Sequence, residues 1–172
     1  MSMVLPEKLK GFSLFVDGQG YGGRAEEVTL PKLARKMEEY RGGGMDRPVK
    51  IDMGGEALTA EFVLAEYTPD VLKQWGLTTV DGLGLRLKGS VKADNVDGDE
   101  IPVEVVLRGR FSEIDQGKWK GGDSATMKVA CELAYYEYKY NGESLIKIDV
   151  IGSEEVVGGT DRLASRRKNL GL

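Results

Sequence analysis

Apolar and polar side chains alternate with period two along most of this chain, the signature of half-buried β-strands. Phe12, Leu14 and Val16 alternate ahead of Asp17-Gly18, and Leu58, Ala60, Phe62 and Leu64 alternate with Thr59 and Glu61 on the other face. Leu85, Leu87, Gly89 and Val91 oppose Arg86, Lys88, Ser90 and Lys92; after the turn residues 94–98, Ile101, Val103, Val105 and Leu107 oppose Glu104, Arg108 and Arg110. That arrangement predicts a hairpin. The strongest local signal is Asn141-Gly142, which supplies the positive φ angles of a type I′ turn. Met127, Val129, Cys131, Leu133 and Tyr135 form one stripe before it, and Ile146, Ile148 and Val150 form the matching stripe after it. Tyr135, Tyr136, Tyr138 and Tyr140 put rings on both faces of the same strand, so one face is expected against the core and the other against a neighbour.

Helical spacing is rarer. Thr68 as a cap, Pro69 at the first helical position, Val71, Leu72 and Trp75 as an apolar stripe and Gly76 as a stop predict one short helix that plugs an end of the sheet structure. Thr29-Leu30-Pro31 followed by apolar residues at 33, 34, 37 and 40 suggests a second. The expected fold is mainly β: one domain over 1–172, an antiparallel barrel or sandwich with one short helix, a long inter-strand loop and a C-terminal arm.

Composition narrows the functional classes. A chain of 172 residues suits one domain with a real core. Apolar content of 41% with no run near the roughly 20 residues that cross a bilayer argues against a transmembrane segment. The first ten residues lack a signal-peptide core, so a cytoplasmic site of synthesis is expected. A net charge of −4 disfavours phosphate-based nucleic-acid binding. With no histidine and one cysteine, the commonest general base and the usual zinc ligand sets are missing, so no catalytic, cofactor or metal site is expected.

The candidate chemistry is correspondingly thin. Glu113 and Asp115, two apart on a strand with Trp119 nearby as a stacking platform, could serve acid–base work on a sugar; a polar strand end entering a glycine-rich turn is by far the better reading of the same residues. Asp94, Asp97 and Asp99 have a loosely calcium-like spacing without the later glutamate that a calcium loop requires. Residues 18–23 are glycine-rich but lack the lysine and helix of a phosphate loop. Cys131 lies in an apolar stripe and reads as an inert core residue.

Two segments point to assembly instead. Three consecutive glycines, Gly42, Gly43 and Gly44, interrupt a long charged stretch, leaving a backbone expected to order only when something packs on it. Residues 158–172 gather Arg162, Arg166, Arg167 and Lys168 in an acidic protein, with Leu163 and Leu170 a heptad apart. Such an arm suits docking on an acidic surface, including another copy; a disordered basic tail is the alternative.

The run 30–33 through Glu39-Tyr40-Arg41-Gly42-Gly43-Gly44-Met45, then Ile51-Asp52-Met53-Gly54, Leu107-Arg108-Gly109-Arg110, Glu113-Ile114-Asp115-Gln116-Gly117, and finally Gly159-Thr160-Asp161-Arg162-Leu163 with Asn169-Leu170-Gly171-Leu172 resembles the major tail tube proteins of contractile-tailed bacteriophages and the tube proteins of R-type pyocins. The resemblance covers the chain almost end to end. It implies hexameric rings stacked into a tube within a contractile sheath, without catalysis. It implies self-association, contacts with sheath, tape measure, baseplate and tail terminator proteins, passage of DNA through the lumen without specific binding in a phage, and no stable membrane association. Assembly would take place in the bacterial host cytoplasm, the product being a virion tail or a membrane-piercing pyocin particle.

The resemblance also implies that residues 30–62 are extended strands joined by an inter-ring loop, replacing the helix that period 3.6 suggests over 30–40. Its contact residues would be Tyr40, Arg41, Gly42, Gly43, Gly44, Met45, Asp46 and Arg47, and the docking arm would use Arg162, Leu163, Arg166, Arg167 and Leu170. A hexameric ring of the type VI secretion kind is the second functional reading, and a carbohydrate-active enzyme built on Glu113 and Asp115 the third.

Overall fold

The computed structural model describes residues 2–172. Twelve strands and two short helices follow in the order β1 (Lys8–Val16), β2 (Gln19–Gly20), β3 (Ala25–Thr29), β4 (Arg35–Tyr40), β5 (Val49–Gly55), β6 (Leu58–Leu64), α1 (Pro69–Leu72), β7 (Leu83–Lys92), β8 (Ile101–Asp115), β9 (Met127–Tyr140), β10 (Glu143–Asp149), β11 (Glu154–Val157), β12 (Thr160–Asp161) and α2 (Ala164–Leu170). Ten strands make one antiparallel sheet in the order β12-β11-β10-β9-β8-β7-β1-β2, from which β6 and β3 branch at β9. β4 and β5 form a separate two-stranded ribbon.

The period-two stripes become one face of this sheet. Leu14 and Val16 of β1, Leu58, Ala60, Phe62 and Leu64 of β6, Leu85 and Leu87 of β7, Val105 and Leu107 of β8, and Met127, Val129, Cys131 and Leu133 of β9 are all buried together. Both branches of the sheet contribute, so the sheet wraps round a single core, with Phe62 and Phe111 meeting edge to face at 6.0 Å. The Asn141-Gly142 turn read from the sequence is present, and Asp17-Gly18 forms another: both take positive φ at each residue, as type I′ geometry requires. The glycine-rich residues 18–23 serve the first of these turns and seat Tyr21 in the core.

Strand β9 organises the branching. One edge pairs with β8 throughout; the other pairs with β6 over residues 127–133 and with β10 over 135–140. Ala134 is the extra residue at the changeover, since Arg108 faces Tyr135 while the next residue, Gly109, faces Leu133. This bulge shifts the inward stripe by one position. Tyr136, not Tyr135, therefore continues the buried face, and Tyr138 packs beside it. Tyr135 lies on the outer face with the Arg108 guanidinium 5.1 Å from its ring centroid. On β10, Ile146 and Ile148 pack on the core as expected, but Val150 lies beyond the strand end and is exposed.

The short helix is shorter than its signals. α1 makes one turn, with Val71 buried while Trp75 is largely exposed. Thr68 does not cap it; its hydroxyl is buried without a hydrogen-bond partner. Gly76, at φ 87°, ends the segment as expected. No helix over 30–40 forms: residues 35–40 are a strand, because period 3.6 there coincides with a charged, unburied sequence that a ribbon accommodates on both faces. The arm contains the second helix of the fold, α2.

Two positions test this packing. A methyl group at Gly109 would sit 2.1 Å from the Glu132 carbonyl oxygen and 2.9 Å from the Leu133 Cα, so backbone would have to move. Gly109→Ala is expected to lower unfolding free energy by about 1–3 kcal/mol in urea titration, with Gly121→Ala, which has open space, as the control. Cys131 is buried, and burial pushes its thiol pKa up to about 12. Cys131→Ser is expected to cost roughly 1–3 kcal/mol by burying a hydroxyl, and the native thiol should resist a labelling reagent until the protein unfolds.

Candidate functional site

The ribbon of β4 and β5 is the part of the chain that its own fold leaves uncovered. None of the six residues of β4 is buried, and β5 is exposed except for a half-buried Gly54. Cross-strand pairs Tyr40–Val49, Glu39–Lys50, Glu38–Ile51 and Met37–Asp52 fix its faces. One face carries Tyr40, Val49, Ile51 and Met53 with Glu38 among them, each apolar member about half exposed. The other carries Met37, Glu39, Lys50 and Asp52. An apolar stripe on a two-stranded ribbon with nothing packed against it is unstable as an isolated design and marks a contact surface.

The root of the ribbon is fixed by charge. Arg35 Nε donates to Asp52 Oδ2 at 2.8 Å across the ribbon, and its Nη1 reaches Glu155 Oε2 of β11 at 3.1 Å. Asp52 Oδ1 also accepts the Gly54 amide at 2.9 Å, where Gly54, at φ 120°, supplies the bulge between Met37 and Arg35. The Arg35 hydrogen bond is the main reason that the Asp52 carboxyl lies below its ordinary pKa, with the Gly54 amide next. Nothing in the sequence announces this trio, because its members are separated by 17 and 120 positions.

At the tip, the Met45 amide donates to the Gly42 carbonyl at 3.2 Å, making a turn whose third residue, Gly44, has φ 85°. That is the position a type II turn reserves for glycine. Of the three consecutive glycines only Gly44 needs positive φ; Gly43 has open space and Gly42 lies against the Tyr40 ring. Arg41 Nε donates to the Met45 carbonyl at 3.1 Å, so the tip has its own shape within the single subunit. Asp46 and Arg47 project into solvent there.

The arm docks at the other end of the ribbon. Asp161 accepts the Leu163 amide at 3.0 Å and pairs with Arg167, whose other amino group donates to the Ser153 carbonyl at 3.0 Å. Gly171, at φ 72°, closes α2, with the Leu172 amide donating to the Arg167 carbonyl. The arm is thus a folded element, and Arg167, expected to dock on another copy, is engaged inside its own subunit. Arg162, Arg166 and Lys168 have no carboxylate within salt-bridge distance among the described residues. Leu163 and Arg166 join Leu33, Leu133, Ile148 and Val157 around a cleft of about 520 Å³ between arm and ribbon root. Leu170 is exposed, outside that cleft. The structure therefore brings part of the arm to the ribbon's root, while the tip residues 40–47 stand away from it.

The enzymatic candidates gather no site. Glu113 and Asp115 are exposed on the outer face of β8, Asp115 accepting the Gly117 amide at 2.9 Å, and Trp119 leans on Tyr67 instead of facing them. Asp94 pairs with Lys10 in the β7–β8 turn, and no cluster of three metal-ligating side chains occurs among the described residues. No helix among the described residues is long and apolar enough to cross a membrane.

Comparison with known proteins places the chain in a family. The profile of the family described as phage tail tube protein FII matches residues 6–171. The tail tube protein of Escherichia phage P2 is 40% identical over 99% of this chain and all of its own length. The major tail tube protein of Serratia phage KSP20 is 36% identical over 87% of this chain and 86% of its own. Among solved structures, the fold is shared with a chain of the extended sheath–tube complex of the PVC extracellular contractile injection system, at TM-score 0.57 and 9% identity over 75% of this chain and 88% of that one. A chain of that system's sheath/tube terminator gives TM-score 0.59 and 11% identity, over 80% of this chain and 99% of that one. With its sequence matched nearly end to end at this identity, the chain belongs to the phage tail tube protein family.

Proposed function

We propose that this protein builds the inner tube of a contractile tail by assembling with copies of itself into hexameric rings that stack within a sheath. The observation that carries this reading is the β4–β5 ribbon, which presents Tyr40, Val49, Ile51 and Met53 to solvent and is tied at its root to β11 by the Arg35–Glu155 pair. Its apolar stripe gains a dry partner only in an assembly. A contact between different surfaces of successive rings repeats without closing, which produces a filament. The ribbon tip, Tyr40 to Arg47, is the inter-ring contact in this reading, and the arm 158–172 braces the ribbon root. A lone secreted ring would leave the ribbon idle, so the ribbon favours the tube. Sheath, tape measure, baseplate and terminator proteins are the remaining partners, and DNA passes through the lumen in a phage without specific binding. Negative-stain microscopy of the purified protein tests the reading: tubes of stacked rings support it, and a protein monomeric at every concentration overturns it.

Val49→Asp combined with Ile51→Asp should leave the circular dichroism spectrum and unfolding midpoint close to wild type while abolishing tubes. Each side chain is about half exposed in the subunit, so its full burial in an assembly is worth roughly 1 kcal/mol, and a buried carboxylate opposes it by more. Sedimentation reads the result.

The arm gives a pH dependence. The Arg167 hydrogen bond is the main cause that holds Asp161 below its ordinary pKa of 3.8. A carboxyl lowered on folding contributes its stabilisation above the unfolded pKa and loses it as pH falls through the folded value. Amide signals of residues 164–170 are therefore expected to hold constant from neutral pH down to about pH 4 and to shift below it; in Arg167→Ala they should be displaced already at neutral pH.

A further inference from the structure

Three features of the subunit lack a counterpart, and one contact supplies all three. The first is a strand edge. β1 pairs with β7 along its length but with β2 only at Phe15 and Val16, so residues 8–13 have a strand on one side and none on the other among the described residues. The second lies beside that edge. An extra residue at Lys10 brings Leu9 and Phe12 onto the same inward face of β1, where they are 58% and 36% exposed. With Val91, Val103, Val28 and Leu30 they line an apolar mouth of about 290 Å³ opening into the core. The third is the ribbon itself, since β4 and β5 pair with each other and with no other strand among the described residues.

We propose that β5 of one copy adds as a strand to residues 8–13 of β1 in another, with its apolar face turned over the mouth. This rests on the self-assembly proposed above and adds where the body of the ribbon lands. The lengths match, seven residues of β5 against six on the open edge. β5 lies next to β1 because it presents Val49, Ile51 and Met53 on that face, whereas β4 presents Glu38 beside Tyr40. The pairing joins different copies: a ribbon's own root is tied to Glu155 of β11, five places from β1 in the order of the sheet.

Each side gains what it lacks. The added strand supplies hydrogen-bond partners to the open amides and carbonyls of β1, and the apolar stripe of the ribbon and the apolar mouth cover one another. Charge agrees with this orientation. The outer side of β1 and β7 is cationic here: Lys8 directly faces Lys92, Lys88 follows across from Ser13, and the nearby Asp94 is already taken by Lys10. With its apolar face turned inward, the ribbon brings the carboxylates of Glu39 and Asp52 to that same outer side.

Cross-linking between singly substituted proteins tests the contact. Lys50→Cys sits near one end of β5, so it comes beside Lys8→Cys in one strand sense and beside Ser13→Cys in the other. All three positions lie outside the core, and native Cys131 is buried and provides no background. Lys50→Cys protein is co-assembled with each of the other two and treated with a short thiol-to-thiol reagent. A dimer band on a denaturing gel is expected in one of the two mixtures and in none of the three proteins assembled alone. Hydrogen exchange of the unmodified protein gives a second readout, with amides of residues 8–13 expected to exchange more slowly in tubes than in free subunits. Tubes that form normally but give no dimer band in either mixture overturn the strand addition and leave the tube reading standing; slowed exchange at 8–13 alongside that result assigns the edge to a different partner. Failure of the unmodified protein to form rings or tubes overturns the tube reading instead, and the strand addition with it.

Discussion

The rest of the molecule depends on the close approach of two backbones where Gly109 of β8 passes Glu132 and Leu133 of β9. No side chain fits there, and beside it Ala134 is inserted as an extra residue. The insertion lets β9 exchange β6 for β10 along one edge while keeping β8 along the other. A single strand can then belong to two branches of a sheet, and the branches fold round one core. The changeover falls between the β6 pairing, which ends at Leu133, and the β10 pairing, which starts at Tyr135.

From the changeover follows a division of labour between the branches. The branch of β10, β11 and β12 ends in the arm and, through Glu155, holds Arg35 at the ribbon root. The branch of β6 and β3 carries the ribbon outward and leaves one long edge open. Both features are costly to an isolated domain, since an unpaired edge invites indiscriminate pairing and an uncovered apolar stripe invites aggregation. Both become assets when identical copies supply what is missing. The ion pairs at the root are partly exposed and contribute modestly to stability; their use is geometric, holding the ribbon at a fixed angle to the subunit that presents it.

Much of this was legible in the residues. The strands of the core, the hairpin between β7 and β8 and the Asn141-Gly142 turn follow from alternation and turn chemistry, which act over a few neighbouring positions. The family was legible too, through ordered blocks that span the chain. Less visible were the features that reverse a local pattern. The stripe on β9 reads as continuous through Tyr135 because an inserted residue leaves no mark in hydropathy, yet it turns Tyr136 inward. Thr68 carries the type of a helix cap but is buried beside Pro69 without capping, since the helix is a single turn. Residues 33–40 satisfy helical spacing, and only their continuation into a paired strand excludes it.

The candidate interface divides in the same way. Gly44 had to be glycine for its turn, but the sequence alone gave its two neighbours equal standing, because conformational freedom is a property of the residue and conformational need is a property of the site. Arg167 reads as a docking residue of a basic arm, whereas Asp161 claims it within the subunit. The sequence by itself determined that the chain is β-rich, because alternation is a local quantity, and its ordered residue blocks carried the resemblance to tail tube proteins. Only the tertiary structure decided which strand edges remain open, which face of the ribbon is apolar and which charges face one another, because each of these depends on registers set by pairings between distant parts of the chain.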